Sequence, residues 1–280
     1  VGRVGSSSFD QARVETQNRK GTTVTSPNET NALTRDVSVE VAAETAYAND
    51  EAVVYDEKRL TTPAAKLIHE FERDLLFRAI SQAVRGGRFL EIGCGTGRLL
   101  IEAVQRGHRV DGADASGAML EQLKAKLSDS AQIEVFISDA AQVPQPDESY
   151  DLVYSIRLLN QTESPEYALK VVEEMCRLAR PGGLIFVEFV NEFRPRWGAA
   201  RGNNKTTRLR PAQVRRRGVA NRAEVLQYAG AFFLSMQAYH ACPVFLLPLL
   251  KIADRSLSWL FPRLCARSYV LFRKNIEQSK

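Results

Sequence analysis

Apolar positions along this chain recur with two alternating periods. Leu67, Phe71, Leu75, Ile80 and Val84 fall at helical spacing and predict a helix over 63–84, stopped by Gly86 and Gly87. Short apolar runs then predict strands near 88–92, 109–113, 132–137, 150–155 and 184–190, separated by helices near 97–106, 117–127 and 165–179. In the last of these helices Leu169, Val172, Cys176 and Ala179 share one face, and Arg180-Pro-Gly-Gly183 ends it before the next strand. Such alternation implies a doubly wound α/β domain, a parallel sheet with helices on both faces and a ligand at the carboxyl ends of the strands.

The flanks read differently. Residues 1–46 are rich in Ser, Thr, Asn and mixed charge, too polar to offset the entropy of ordering, and are expected to form a mobile tail. Residues 47–87 form an N-terminal helical cap, and 88–191 the alternating core. Between Glu192 and Glu224 stand nine arginines and Lys205 with no acid, a basic loop or lid over 192–222. Residues 223–280 belong to the same domain: a short helix over Ala223–Tyr228, a strand over Phe232–His240, an apolar, helical insert over 243–264 and a last strand over Tyr269–Arg273.

Chemistry enters at Phe89-Leu-Glu-Ile-Gly-Cys-Gly-Thr-Gly-Arg98, where a strand runs through a glycine loop into a helix. Gly93, Gly95 and Gly97 let main chain approach a ligand without an intervening Cβ. The spacing G-x-G-x-G is not the G-x-G-x-x-G of dinucleotide sites, which favours a ligand without a pyrophosphate. Glu91, just before the loop, can reach a ligand's ammonium or accept the loop's own amides. Asp114 follows Gly93 by 21 residues, the distance of one strand-helix-strand unit, and can grip both hydroxyls of a ribose or else cap the helix at Gly117. Asp111 lies deeper on the same strand. Asp139 places another acid at the end of the third strand.

The stretch Glu91 to Gly97 resembles motif I, E/D-x-G-x-G-x-G, of the Rossmann-like S-adenosylmethionine-dependent methyltransferases, and the resemblance covers roughly residues 85–190. It implies a seven-stranded, mostly parallel sheet with an antiparallel last strand. S-adenosylmethionine would be the cofactor, held by Glu91, Gly93, Cys94, Gly95, Gly97, Asp114, Ala115, Asp139 and Ala140, with adenine meeting the last two and Met119 packing nearby. The family likeness further implies Ser155 as a contact to the methionine part and Arg59 as partner of its carboxylate. Ser155 to Gln161 is similar to the ubiquinone and menaquinone biosynthesis type, where an arginine and an asparagine follow the fourth strand, and lacks the Asn/Asp-Pro-Pro-Tyr/Phe signature of enzymes that methylate amide or base nitrogens.

A methyl group on a sulfonium already has a good leaving group, so positioning can supply much of the acceleration and a base is optional. Of His69, His108 and His240, His69 on the N-terminal helix is the preferred candidate base, and His108, in the turn before the second strand, reads as structural. The net charge of +5 and the basic loop favour an anionic, small or lipid-like acceptor, with O- or C-methylation favoured. Nucleic acid is not indicated, since only Phe193 and Trp197 interleave with the arginines to stack bases. Four scattered cysteines suggest neither zinc nor a disulfide framework. Residues 1–30 lack an apolar signal segment, and Gly230, Pro243 and Pro248 interrupt the uncharged stretch 225–250, so a cytoplasmic protein is expected, peripheral to a membrane at most. Two other readings stand beside the methyltransferase: a non-catalytic adenosyl-binding scaffold of the same fold and, third, an NAD-dependent oxidoreductase.

Overall fold

Helix α1 (Pro63–Ile80) begins where Thr62 caps it, the hydroxyl oxygen accepting the Ala65 amide at 3.1 Å while Pro63 takes the first turn. The computed structural model describes residues 61–127, 133–193, 206–234 and 236–276. The expected tail, Arg59 and the stretch 194–205 of the basic run lie outside the described residues. Then follow β1 (Arg88–Ile92), α2 (Arg98–Gln105), β2 (Arg109–Asp114), α3 (Gly117–Lys126), β3 (Val135–Ile137), β4 (Tyr150–Ser155), α4 (Pro165–Leu178) and β5 (Ala179–Val190). The chain continues through α5 (Pro211–Ala220), β6 (Ala223–Ala231), α6 (Met236–Ala241), α7 (Leu247–Leu260) and β7 (Arg267–Lys274).

Seven strands form one sheet in the order β3-β2-β1-β4-β5-β7-β6. β1 to β5 pair in parallel, and β7 runs antiparallel to both β5 and β6. The direction of winding reverses between β1 and β4, which opens a crevice beyond their carboxyl ends. Both faces of the sheet are covered, so alternate residues of one strand enter different cores. Phe89, Leu152, Phe186 and Tyr269 join Ile68 and Leu76 of α1 on one side. Leu90, Val153, Ile185 and Val270 join Leu169, Val172 and Cys176 of α4 and Val214 of α5 on the other.

Several local expectations are corrected. Residues 223–228 are not a helix but the start of β6, which pairs along β7 from Ala223 to Ala231. Ala, Glu, Leu and Gln favour a helix in isolation, and the ladder with β7 overrides that preference. Residues 232–240 are not a strand: Phe232 takes φ +61°, ends β6 and turns the chain toward α6. Its ring packs on Phe71 and Tyr239, at centroid distances of 5.4 and 5.9 Å, so the aromatic run serves the core and not a ladder. β5 starts at Ala179, which pairs with Tyr150, while Leu184 pairs with Leu152, and Arg180–Gly183 bulge out between them. β3 is confined to Val135–Ile137. Part of the stretch expected to be a basic loop is helix α5, whose Arg217 pairs with Glu173 of α4.

Candidate functional site

The loop from β1 to α2 is built around its own hydrogen bonds. Gly93 and Cys94 donate their amides to the Ala113 carbonyl at 2.8 and 3.1 Å, and Gly97 donates to the Cys94 carbonyl at 2.9 Å. The Gly95 amide donates to Asp114 Oδ2 at 2.7 Å. These four amides are therefore spent inside the protein and form no nest for a pyrophosphate. Gly97, at φ +80°, caps α2 in a left-handed conformation, and a Cβ there would stand 2.1 Å from Leu123 Cδ1. At Gly95, φ +53°, a Cβ would meet nothing within 4 Å among the described residues, so within them the loop's outer side is open to a ligand. The Cys94 side chain points away from that side, its sulfur 2.9 Å from where a Cβ on Gly112 would sit, and burial pushes its thiol pKa well up.

Asp114, at the end of β2, shapes this loop. Its second oxygen, Oδ1, accepts the Ser116 amide at 3.0 Å. The cap of α3 is Ser116 and not Asp114: Ser116 Oγ accepts the Met119 amide at 3.3 Å. Burial raises the Asp114 carboxyl above its ordinary value, against the amides of Ser116, Gly95 and Ala115. Ala115 is half-buried beside it, while Met119 is buried on α3. The Gly95 amide that might have gone to Glu91 goes to Asp114 instead. Glu91 is buried, Oε2 accepts the Tyr154 hydroxyl at 3.2 Å, and burial pushes its carboxyl to about 8. Asp111 is structural: buried, it binds Arg88 at 2.6 Å and accepts the Glu134 amide at 2.9 Å.

Past β3, Asp139 Oδ1 accepts the Ala141 amide at 2.8 Å and the Tyr167 hydroxyl. Its other oxygen makes no hydrogen bond among the described residues, and Ala140 beside it is half-buried. At the end of β4, Ser155 Oγ donates to the Ile92 carbonyl at 2.9 Å, so toward a ligand it can only accept. Asp139, Asp114, Glu91 and Ser155 thus stand at or just past the carboxyl ends of adjacent strands.

On the α1 side of this edge lies a buried cluster of charges. Arg157 Nε donates to Glu72 Oε1 at 2.5 Å, and Arg98 donates to Glu72 Oε2 at 3.0 Å. Glu188 accepts the Arg157 amide at 2.8 Å and pairs with Arg267. Burial alone would raise the Glu72 carboxyl, but Arg157 and Arg98 hold it below its usual value. Arg157 is fixed at φ +65°, a strained backbone for a non-glycine residue, immediately after β4. Arg98 also contacts His69 Nδ1. Burial, with Arg98 beside it, lowers the His69 pKa. His108 packs at a tilt against Phe89 and Phe77, with ring centroids 5.7 and 6.4 Å away.

The apolar and glycine patterns of the sequence did not single out Glu72, Glu188 or Arg267 as site residues. The signal was present for two of them: Glu72 shares a helical face with Ile68 and Leu76, and Glu188 interrupts the apolar run Leu184–Val190. An acid in an apolar stripe either meets a buried cation, as these two do, or is pushed toward its protonated form, as Glu91 is.

This sheet order, with β7 slotted antiparallel between β5 and β6 behind a glycine loop, is the architecture of the class I, Rossmann-like S-adenosylmethionine-dependent methyltransferases. Residues 89–183 match the family model described as a methyltransferase domain. A phosphatidylethanolamine N-methyltransferase of Cereibacter sphaeroides is 36% identical over 112 residues, covering 39% of this chain and 52% of that protein. A ubiquinone biosynthesis O-methyltransferase of Brucella ovis is 28% identical over 147 residues, covering 52% of this chain and 57% of that protein. The chain thus spans about half the length of these relatives. Among solved structures, the magnesium protoporphyrin IX methyltransferase of Synechocystis with bound S-adenosylhomocysteine superposes with a TM-score of 0.58 at 15% identity, covering 86% of this chain and all of that one.

Proposed function

We propose that the chain binds S-adenosylmethionine at the carboxyl ends of β1 to β4 and directs its methyl group to a small hydrophobic or lipid-like acceptor. The observation that carries this is the loop itself: its amides at Gly93, Cys94, Gly95 and Gly97 are internally bonded, its outer side at Gly95 is open, and carboxyls stand around it. That surround suits hydroxyls and a cation, not a pyrophosphate.

When bound, the sulfonium supplies an electrophilic methyl group with its leaving group in place. The chain's own residues position it. Asp114, already aligned by two amides, has lone pairs left for the ribose hydroxyls. The unbonded oxygen of Asp139 accepts from the adenine amino group, with the Ala140 amide on the ring. Glu91 and Ser155 accept from the methionine ammonium, and Arg59 takes the carboxylate. His69 on α1, in contact with Arg98, remains the candidate base, and a base is optional for transfer from a sulfonium. The acceptor assignment rests on the lipid or quinone named in two relatives and on the exposed apolar residues Leu249, Ile252 and Trp259 of α7, a helix that the Lys251–Glu70 pair joins to α1. Oxygen or carbon is favoured over an amide or base nitrogen, because the segment after β4 lacks the Pro-Pro signature of amide and base methylation, and the N-methyltransferase among the relatives keeps an amine nitrogen as the second reading.

Calorimetric titration with S-adenosylmethionine, S-adenosylhomocysteine and NAD, beside Asp114→Ala, tests the cofactor. Both sulfur ligands should bind wild type, weaken at least tenfold in the variant, and leave NAD without heat. A preference for NAD, or no binding of either sulfur ligand, would overturn the proposal.

A further inference from the structure

Helix α7 presents two opposed faces, since each residue turns the helix by about 100°. Leu247, Leu250, Asp254, Leu257 and Ser258 face the protein. Asp254 accepts the Leu234 amide at 2.6 Å and Ser258 accepts the Phe233 amide at 3.3 Å, so this face is tied down by hydrogen bonds as well as by packing. Roughly opposite lie Leu249, Ile252, Trp259 and Leu260, continued by Phe245 in the preceding turn. Trp259 is 82% exposed, Phe245 78%, and Leu249 and Ile252 63% each. Single exposed apolar residues are ordinary, but a continuous stripe ending in a tryptophan marks an interaction surface.

The charges around the stripe identify what it fits. On residues 243–264 the exposed charged side chains are Arg255 and Arg263, Lys251 is half-buried against Glu70 at 3.2 Å, and the one acid, Asp254, is buried on the inner face. The rim is therefore cationic, and the inserted segment is an amphipathic helix with an interfacial aromatic. A second copy meeting the same patch would set Arg255 and Arg263 against themselves. No helix among the described residues is long and apolar enough to cross a membrane.

We propose that α7 docks the protein onto an anionic lipid surface. Phe245, Leu249, Ile252, Trp259 and Leu260 enter the boundary between headgroups and acyl chains, and Arg255 and Arg263 meet the lipid phosphates. The Lys251–Glu70 pair joins α7 to α1, the helix that carries His69 and Glu72, so docking brings a lipid surface beside the candidate acceptor side. Docking does not depend on methyl transfer, and the two are read separately.

The full chain carrying Trp197→Phe, with Trp259 as sole tryptophan, is mixed with vesicles of phosphatidylglycerol and phosphatidylcholine or of phosphatidylcholine alone. A blue shift of Trp259 emission and co-flotation with the anionic vesicles only are expected. Ile252→Glu should lower partitioning at least tenfold, and reversing Arg255 or Arg263 to Glu should lower it about fivefold or more each. Circular dichroism and S-adenosylhomocysteine affinity should be unchanged in these variants. Absence of flotation, equal partition to both vesicle types, or a dimer in sedimentation that Ile252→Glu dissociates would overturn the proposal.

Discussion

Two buried glutamates of this site are shifted in opposite directions, for reasons that can be separated. Among the described residues Glu91 has only the Tyr154 hydroxyl as a hydrogen-bonding side chain, and burial dominates, raising its carboxyl to about 8 from 4.5. Glu72 has Arg157 and Arg98, and its carboxyl falls. By linkage, a raised carboxyl favours the folded state at acid pH, and that contribution is lost as pH rises through about 8. For Glu72 the contribution is present above the unfolded value and lost as pH falls through the lowered one. Glu91→Gln should therefore flatten the decline of urea stability between pH 5 and 8. If Glu91 ionises against the methionine ammonium, S-adenosylmethionine affinity should rise by up to tenfold per pH unit toward pH 8 and level off above it. The Gln variant should lose that slope, and calorimetry in buffers of different ionisation heat should show no proton release. Glu188→Ala strands both Arg267 and the strained Arg157 amide, and should cost about 3–5 kcal/mol in urea unfolding. Glu188→Gln, which keeps an acceptor for the Arg157 amide, should cost less.

At the scale of elements, close approach sets the tolerances. Gly218 lets α5 lie on the sheet: a Cβ there would stand 2.5 Å from Phe272 Cε1. Gly218→Val should lower stability by about 1–3 kcal/mol, measured as a shift of the urea midpoint at unchanged slope. The elements of the β-α core were legible because each parallel strand is an apolar run and each helix keeps one apolar face, as Leu169, Val172 and Cys176 do on α4. Residues 223–240 were not legible. There β6 has the composition of a helix and becomes a strand only through its ladder with β7, which lies beyond α7 in the chain. The aromatic run that follows, read as a strand, is turned by Phe232 at φ +61°. The glycine loop, Asp114 and Asp139 were legible from spacing; that Asp114 serves the loop before any ligand was not.

For the whole molecule, ligand binding should appear as stability. At S-adenosylhomocysteine near 100 times its dissociation constant the folded state gains about 2.7 kcal/mol, a rise in melting temperature of roughly 5–10 °C. Asp114→Ala should lose that rise and NAD should give none, as read by calorimetric or fluorescence melting. The basic balance of +5 acquires a place only in three dimensions. Arg217 is absorbed into the α5–α4 contact and Arg157 and Arg267 into the buried cluster, while Arg255 and Arg263 remain beside the apolar stripe of α7.

The sequence by itself determined the alternating core, the glycine loop and the acids at strand ends, because periodicity and spacing are local properties that every strand-helix unit must satisfy. Only the tertiary structure decided which polar groups were already spent. It joined Glu72 of α1, Arg157 beyond β4, Glu188 of β5 and Arg267 of β7 into one cluster, and it set Arg98 against both Glu72 and His69. It also turned one face of α7 outward. Such partnerships bring together residues far apart in the chain, and burial leaves each charge no other way to be satisfied.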